Sequence, residues 1–257
     1  MPAELLEKSG LELTPAIVSR EEWITARKAL LQKEKELTHR MDALSAERRR
    51  LPWVPVEKDY VFDGPAGRET LAELFDGRSQ LIVYHFMFAP GWEEGCKGCS
   101  FLSDHFDGAN LHLAPHDVTL LAVSRAPRAE FEPFKKRMGW KFKWVSSAGS
   151  DFNTDFHVTA TDADVVAGKA TYNFEKDDSV GEHHGISVFV KNSVGAVYHT
   201  YSSYARGCDI LLGTHNFLDL TPNGRNERST MDWVRLHDEY ETHTEAACGC
   251  GEGTRRI

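Results

Sequence analysis

The pattern of apolar and polar positions changes character several times along the chain. Residues 1–18 carry no sustained period and read as a loosely ordered arm. Ser19-Arg20-Glu21-Glu22 then has the spacing of a capping box, with Ser19 as the cap and Glu22 reaching back. A long helix from about Arg20 to Arg50 follows, free of Gly and Pro and rich in Ala, Leu, Glu, Lys and Arg. Trp23, Leu30, Leu37, Leu44 and Leu51 recur every seven residues along it, a narrow apolar stripe beside a solvated face. Such a stripe either packs on the main domain or joins two copies of the chain as a homodimer. Pro52 ends the helix, because it cannot continue one cheaply.

Beyond Pro52 the periods shorten. Val54-Pro55-Val56 is extended, and Tyr60 to Phe62 before Asp63-Gly64 and Ala66-Gly67 predicts a short strand and a turn. Thr70 to Phe75 reads as one or two helical turns. Leu81 to Phe88 (LIVYHFMF) is continuously apolar, as a strand buried on both faces of a sheet is. Phe101 to Leu113 is helix-compatible, with Gly108 a candidate kink. Val118 to Ser124 is a second buried strand, Ala129 to Met138 a helix between Pro127 and Gly139, and Phe142 to Ser146 a third strand. The order β-α-β-α-β implies right-handed parallel crossovers. Residues 147–180 hold glycines, several Asp and scattered apolar residues, the composition of an irregular insertion. Gly185 to Val190 and Ala196 to Tyr201 flank a turn as a hairpin. Residues 203–220 suggest a closing helix, and 231–240 a short amphipathic one. The chain thus divides into an arm and helix (1–51), an α/β domain (52–220) with an insertion at about 147–180, and a C-terminal extension with a flexible tail (221–257).

Composition narrows the function classes. With 257 residues, 41% of them hydrophobic, the chain is long enough for a sizeable core. Thirty Lys and Arg against 39 Asp and Glu leave a net charge of −9, which argues against nucleic acid or an anionic membrane as partner. No apolar run has the length of a membrane span. The start, MPAELLEKSG, lacks the basic region and apolar core of a secretory signal, so the expected location is cytoplasmic. Five cysteines in that compartment do not read as a structural disulfide framework.

The chemistry is concentrated at the end of the first buried strand. A Pro/Gly loop, APGWEEG, delivers Cys96-Lys97-Gly98-Cys99 to the mouth of a helix, and C-x-x-C in a strand–loop–helix setting is a redox motif. A helix N-terminus favours negative charge, Lys97 adds a cation, and Cys99 can donate its S–H to a Cys96 thiolate; Glu93 and Glu94 oppose. Cys96 is therefore the expected nucleophile and Cys99 the resolving thiol. The same spacing serves zinc, with Cys248, Cys250, His237 or His243 as further ligands. Cys208 reads as core packing. His85 reads as a buried, satisfied histidine, and His183-His184 opens the hairpin. No cofactor is implied.

Several long stretches then carry a family likeness: VFDGPAGRETLAELFDGRSQLIVYHFMF, GCKGCSF, TLLAVSRAP, RMGWKFKWVSS, ISVFVKNSVGAVYHTYSSYARG, LDLTPNGR and DWVRLHDEY. From about Ser19 to Tyr240 the chain resembles a bacterial thioredoxin-like family, known chiefly as a domain of unknown function and described as predicted dithiol-disulfide oxidoreductases. The resemblance implies a thioredoxin-like α/β fold, a central mixed sheet with helices on both faces. It also implies a redox role for Cys96 and Cys99 toward a thiol or disulfide substrate, either a protein or a low-molecular-weight thiol. Trp92 and Lys97 beside the motif, and Gly185 and Ile186 at the start of the hairpin, are the candidate substrate contacts. Two departures from thioredoxin stand out: Trp92 lies four residues before Cys96 rather than next to it, and the site of the usual cis-proline reads His184-Gly185-Ile186. The stretch also resembles peroxiredoxins, yet their Pro-x-x-x-Thr-x-x-Cys pattern is missing, which ranks peroxidase below disulfide exchange.

Overall fold

The computed structural model describes residues 15–240. The arm up to residue 14 and the tail from 241 on, with His243, Cys248 and Cys250, lie outside the described residues. Contacts divide the chain into two compact units, with the boundary in the sequence between Leu51 and Pro52. In the first, α1 (Arg20–Arg48) starts on the expected capping box: Ser19 Oγ accepts the Glu22 N–H, and Glu22 takes the Ser19 N–H at 2.9 Å. Trp23, Leu30, Leu37 and Leu44 stand exposed along it. No helix among the described residues is long and apolar enough to cross a membrane.

In the second unit one mixed sheet positions everything else. Its strands are β1 (Val54–Pro55), β2 (Val61–Gly64), β3 (Gly67–Thr70), β4 (Gln80–His85), β5 (Val118–Ser124), β6 (Trp144–Ser146), β7 (Gly185–Lys191) and β8 (Val197–Tyr204). They lie in the order β1-β8-β7-β4-β5-β6-β2-β3. The central pairs β4–β5 and β5–β6 are parallel, while β7 runs antiparallel to both β4 and β8. A parallel pair needs a crossover, supplied between β4 and β5 by α2 (Lys97–Ser103) and α3 (Phe106–Leu113), and between β5 and β6 by α4 (Arg128–Arg137). The antiparallel hairpin beside a parallel βαβ unit, with the cysteines at the crossover helix, makes this a thioredoxin-like fold.

The continuous apolarity of β4 and β5 reflects two cores, one on each face. Leu81, Val83, Leu121 and Val123 face a layer with Phe62, Phe75, Phe152 and Phe189. Tyr84, Leu120 and Ala122 face the other way, into a layer with Phe101, Phe106, Phe131, Trp140 and Trp144. His85 falls on the first face and is buried, as its sequence context implied. Its Nε2 pairs with Ser187 Oγ at 2.8 Å, Ser187 Oγ with Ser202 Oγ at 2.9 Å, and Ser202 Oγ with His199 Nε2 at 2.8 Å. Burial holds the His85 imidazole down to about 3, so it stays neutral.

Four local expectations are corrected. The helix predicted over Phe101–Leu113 begins at Lys97 and breaks at Asp104–His105, not at Gly108, because Asp104 and the His105 ring are drawn into contacts of their own. Thr70 ends a hairpin strand, and only a 3-10 turn at Glu73–Phe75 follows it. Residues 147–180 are ordered by their aromatics: Phe152 and Phe156 sit in the first core, with Phe152 edge-on to Tyr60 and Phe62 at 5.0 and 4.9 Å. Residues 231–240 form turns rather than a helix, and Val234 and Leu236 are buried in the second core. Phe152→Ala should therefore cost about 3–5 kcal/mol, the usual range for emptying a buried aromatic site. A chemical-denaturation midpoint left within error of the parent would show that the segment is not part of the core.

Candidate active site

β4 ends at His85, and the chain then runs through a loop fixed to the sheet. The Phe86 N–H donates to the Val123 carbonyl at 2.9 Å, and the Cys96 N–H to the Met87 carbonyl at 3.2 Å. Gly95 is required here, since a Cβ would lie 2.6 Å from the Phe86 ring and 2.9 Å from Phe134. Cys96 is thereby held as the N-cap of α2, with the Ser100 N–H donating to its carbonyl at 2.9 Å. Cys96 is half-buried and Cys99, one turn on, is fully buried; both are free thiols, as is Cys208.

The two sulfurs interact directly. The Cys99 S–H hydrogen-bonds to Cys96 and, with backbone N–H groups of Cys99 and Gly98, brings the Cys96 thiol down to about 6 against the opposing effect of burial. An ordinary cysteine near pKa 8.5 is about 3% ionised at pH 7, whereas a thiol at about 6 is roughly nine-tenths thiolate. Cys99 moves the other way, pushed well up by burial and by its bond to Cys96. The Tyr84 hydroxyl, reaching across from β4, also hydrogen-bonds to Cys99 and favours its ionised form.

The thiols open onto a pocket of about 180 Å³. It is lined by Tyr84, Cys96, Gly98, Cys99 and Leu102 from the strand and helix, and by His184, Cys208, Asp209, Leu212 and Met231 from later in the chain. Burial lowers the His184 imidazole, whose Nε2 meets the Ala205 carbonyl at 3.3 Å. Cys208 spends its S–H on the Ser203 carbonyl at 3.5 Å, and burial pushes it up to about 12, so it is a wall rather than a second nucleophile.

Of the sequence-derived candidates, Cys96 and Cys99 are brought together and the others are not. Trp92 stands 39% exposed against Phe88 and does not line the pocket. Lys97 turns away to Glu239 at 2.9 Å, so its ammonium is not what lowers Cys96. Gly185 and Ile186 are held in the sheet between β4 and β8; a Cβ on Gly185 would lie 2.5 Å from Tyr204. Their neighbour His184 reaches the pocket instead. Tyr84, Leu212, Asp209 and Met231 carried no motif. Only Tyr84 had a signal: successive strand residues point to opposite faces, which sets it on the face opposite His85.

The family described as "Bacterial protein of unknown function (DUF899)" matches residues 12–240. The chain belongs to this family. No curated protein matches the sequence. Among solved structures it is similar to peroxidoxin BcpB from Mycobacterium tuberculosis, at 14% identity and TM-score 0.43, over 64% of this chain and 95% of that one. A PrxQ mutant from Xylella fastidiosa gives 13% identity and TM-score 0.42, over 64% and 94%. A candidate protein disulfide isomerase from Bacteroides thetaiotaomicron gives 15% and 0.35, over 69% and 94%.

Because only the thiolate is nucleophilic, alkylation of Cys96 by iodoacetamide should rise with pH to half its maximum near pH 6 and stay flat through neutrality. Cys99→Ala removes the main donor and should move that midpoint upward. A midpoint that stays in place in Cys99→Ala would assign the shift to the backbone alone.

Proposed function

We propose that the protein is a thiol-disulfide oxidoreductase in which Cys96 attacks and Cys99 resolves. The observation that carries this reading is the asymmetric pair: a half-buried thiol lowered by its partner's S–H, next to a buried thiol raised by the same contact. Exchange needs that asymmetry, since one sulfur must be ionised and reachable while the other waits protonated.

The Cys96 thiolate attacks a substrate disulfide R–S–S–R, forming Cys96–S–S–R and releasing R–S⁻, which takes up a proton. Cys99 then loses its proton and attacks the Cys96 sulfur, forming the Cys96–Cys99 disulfide and releasing the second R–S⁻. One substrate disulfide becomes two thiols, and the protein dithiol becomes a disulfide. The Tyr84 hydroxyl is a positioning group for the second step, because its hydrogen bond lowers the cost of ionising the buried Cys99. Running the sequence backwards oxidises a thiol pair, and a low attacking-thiol pKa tilts the balance that way by stabilising the reduced protein.

A zinc site at the same cysteines has less support. Of the further ligands considered, Cys248, Cys250 and His243 lie outside the described residues, and His237 is already paired with Asp104 at 2.7 Å. No observation favours a peroxidase.

Thiol titration across a glutathione redox series, with and without chelator, should give a two-electron transition lost in Cys96→Ser. Cys99→Ser should accumulate the mixed disulfide, visible by intact mass. Turnover surviving in Cys96→Ser, or thiols silent until chelator is added, would overturn the reading. Tyr84→Phe should leave the alkylation profile of Cys96 in place and slow resolution of the mixed disulfide by about tenfold, the loss of one hydrogen bond to a developing charge. Unchanged resolution would remove Tyr84 from the chemistry.

A further inference from the structure

Cys96 is half-buried at the pocket. Residues 227–239 cross the face of α2 that would otherwise leave the dithiol open, and they are fastened along its length. Trp233 lies edge-on to Phe101 at 5.4 Å, and its Nε1–H donates to Glu227 at 2.9 Å. The same Glu227 accepts the Met231 N–H at 3.3 Å. Further along, His237 meets Asp104 at 2.7 Å, Asp238 takes Arg137 at 2.7 Å, and Glu239 takes Lys97 at 2.9 Å. Val234 and Leu236 are buried beneath, so this strap is anchored by core packing as well as by charge.

At the thiols the strap presents one side chain. Met231, with φ +60, is held in the left-handed region that non-glycine residues seldom adopt, and its sulfur lies 3.4 Å from where a Gly98 Cβ would stand. Gly98 in turn lies against the Cys96 sulfur. Met231 therefore lines the pocket next to the nucleophile, together with the apolar Leu102, Leu212 and Tyr84 and the polar His184 and Asp209. The pocket, partly open to solvent, holds about 180 Å³. An apolar cavity of about 150 Å³ accepts a benzene-sized molecule. Folded protein segments and peptides of several residues do not fit such a space.

We propose that the strap, through Met231, makes the dithiol selective for small apolar disulfides and their thiols and excludes protein disulfides and glutathione disulfide. This rests on the oxidoreductase reading above and names its substrate class. The chemistry is the exchange already written, with R a short alkyl group: the pre-reduced protein supplies both electrons, its dithiol becomes the Cys96–Cys99 disulfide, and two molecules of R–SH are released. Unbranched apolar R groups fill the space beside Leu102 and Leu212, and the flexible thioether of Met231 can adjust to them.

The test is single turnover of pre-reduced full-length protein against diethyl disulfide, oxidised glutathione and insulin, each rate divided by that of dithiothreitol with the same compound to remove intrinsic reactivity. The normalised rate with diethyl disulfide should exceed that with oxidised glutathione by about tenfold or more, the discrimination a shape-restricted pocket typically supplies, and insulin should not react. Met231→Ala should raise the normalised glutathione disulfide rate by about fivefold, and Met231→Leu, which keeps the bulk, should not. Equal or faster normalised reaction of wild type with glutathione disulfide or insulin overturns the proposal, whatever the variants do. An unchanged preference in folded Met231→Ala overturns the role of Met231. These failures are distinguishable from failure of the oxidoreductase reading: in the first case Cys96 and Cys99 still show their two-electron transition, in the second they do not.

Discussion

The structure depends on the burial of β4 on both faces. A strand with one wet face could alternate apolar and polar residues, but β4 must satisfy a core on each side. Adjacent residues in it therefore do opposite things. Tyr84 points to the thiol side and His85 to the other, where its imidazole is closed into a serine–histidine chain across the sheet. The same constraint sets the loop after the strand. Phe86 and Phe88 remain in the second core after the strand hydrogen bonds have ended, and Gly95 is forced by the Phe86 ring. The helix that follows can start only where the chain comes free of those aromatics, and the residue there is Cys96.

That placement explains the contrast between the two thiols, one lowered and one raised. Cys96, as the N-cap, lies where backbone N–H groups lack helical partners. Cys99, one turn in, faces the core and has Cys96, Tyr84 and the Met87 backbone for polar company. A shared proton between a half-exposed and a buried sulfur has one favoured arrangement, because ionising the buried one costs more. The pair is thus poised by burial and hydrogen bonding, without a neighbouring side-chain cation. Lys97, the obvious cation in the motif, is used instead to tie α2 to Glu239.

Much of this was legible in the chain. The capping box at Ser19, the two buried strands, the hairpin and the C-x-x-C at a helix mouth follow from local spacing, and the structure has all of them. Errors fell where distant partners override local pattern. Residues 147–180 read as irregular because two phenylalanines among glycines and aspartates have no period, yet Phe152 and Phe156 complete a core whose other members are far away in sequence. Residues 231–240 have helical spacing, but Val234 and Leu236 are drawn down into the second core and Met231 takes a left-handed backbone, so turns replace the helix.

The sequence by itself determined the C-x-x-C pair at a helix mouth, the order of the secondary elements and the parallel core of the sheet, because each depends on residues within a turn or two, or on one buried strand, of each other. Only the tertiary structure decided what surrounds the pair. Tyr84, His184, Leu212 and Met231 come from a strand, a loop, the residue before a short helix and a strap separated by up to about 150 residues, and no local period connects them. It also decided against Lys97, Gly185 and Ile186 as pocket residues, since an ion pair and two hydrogen-bonded ladders claim groups that their positions next to the motif or the hairpin would have assigned to the substrate.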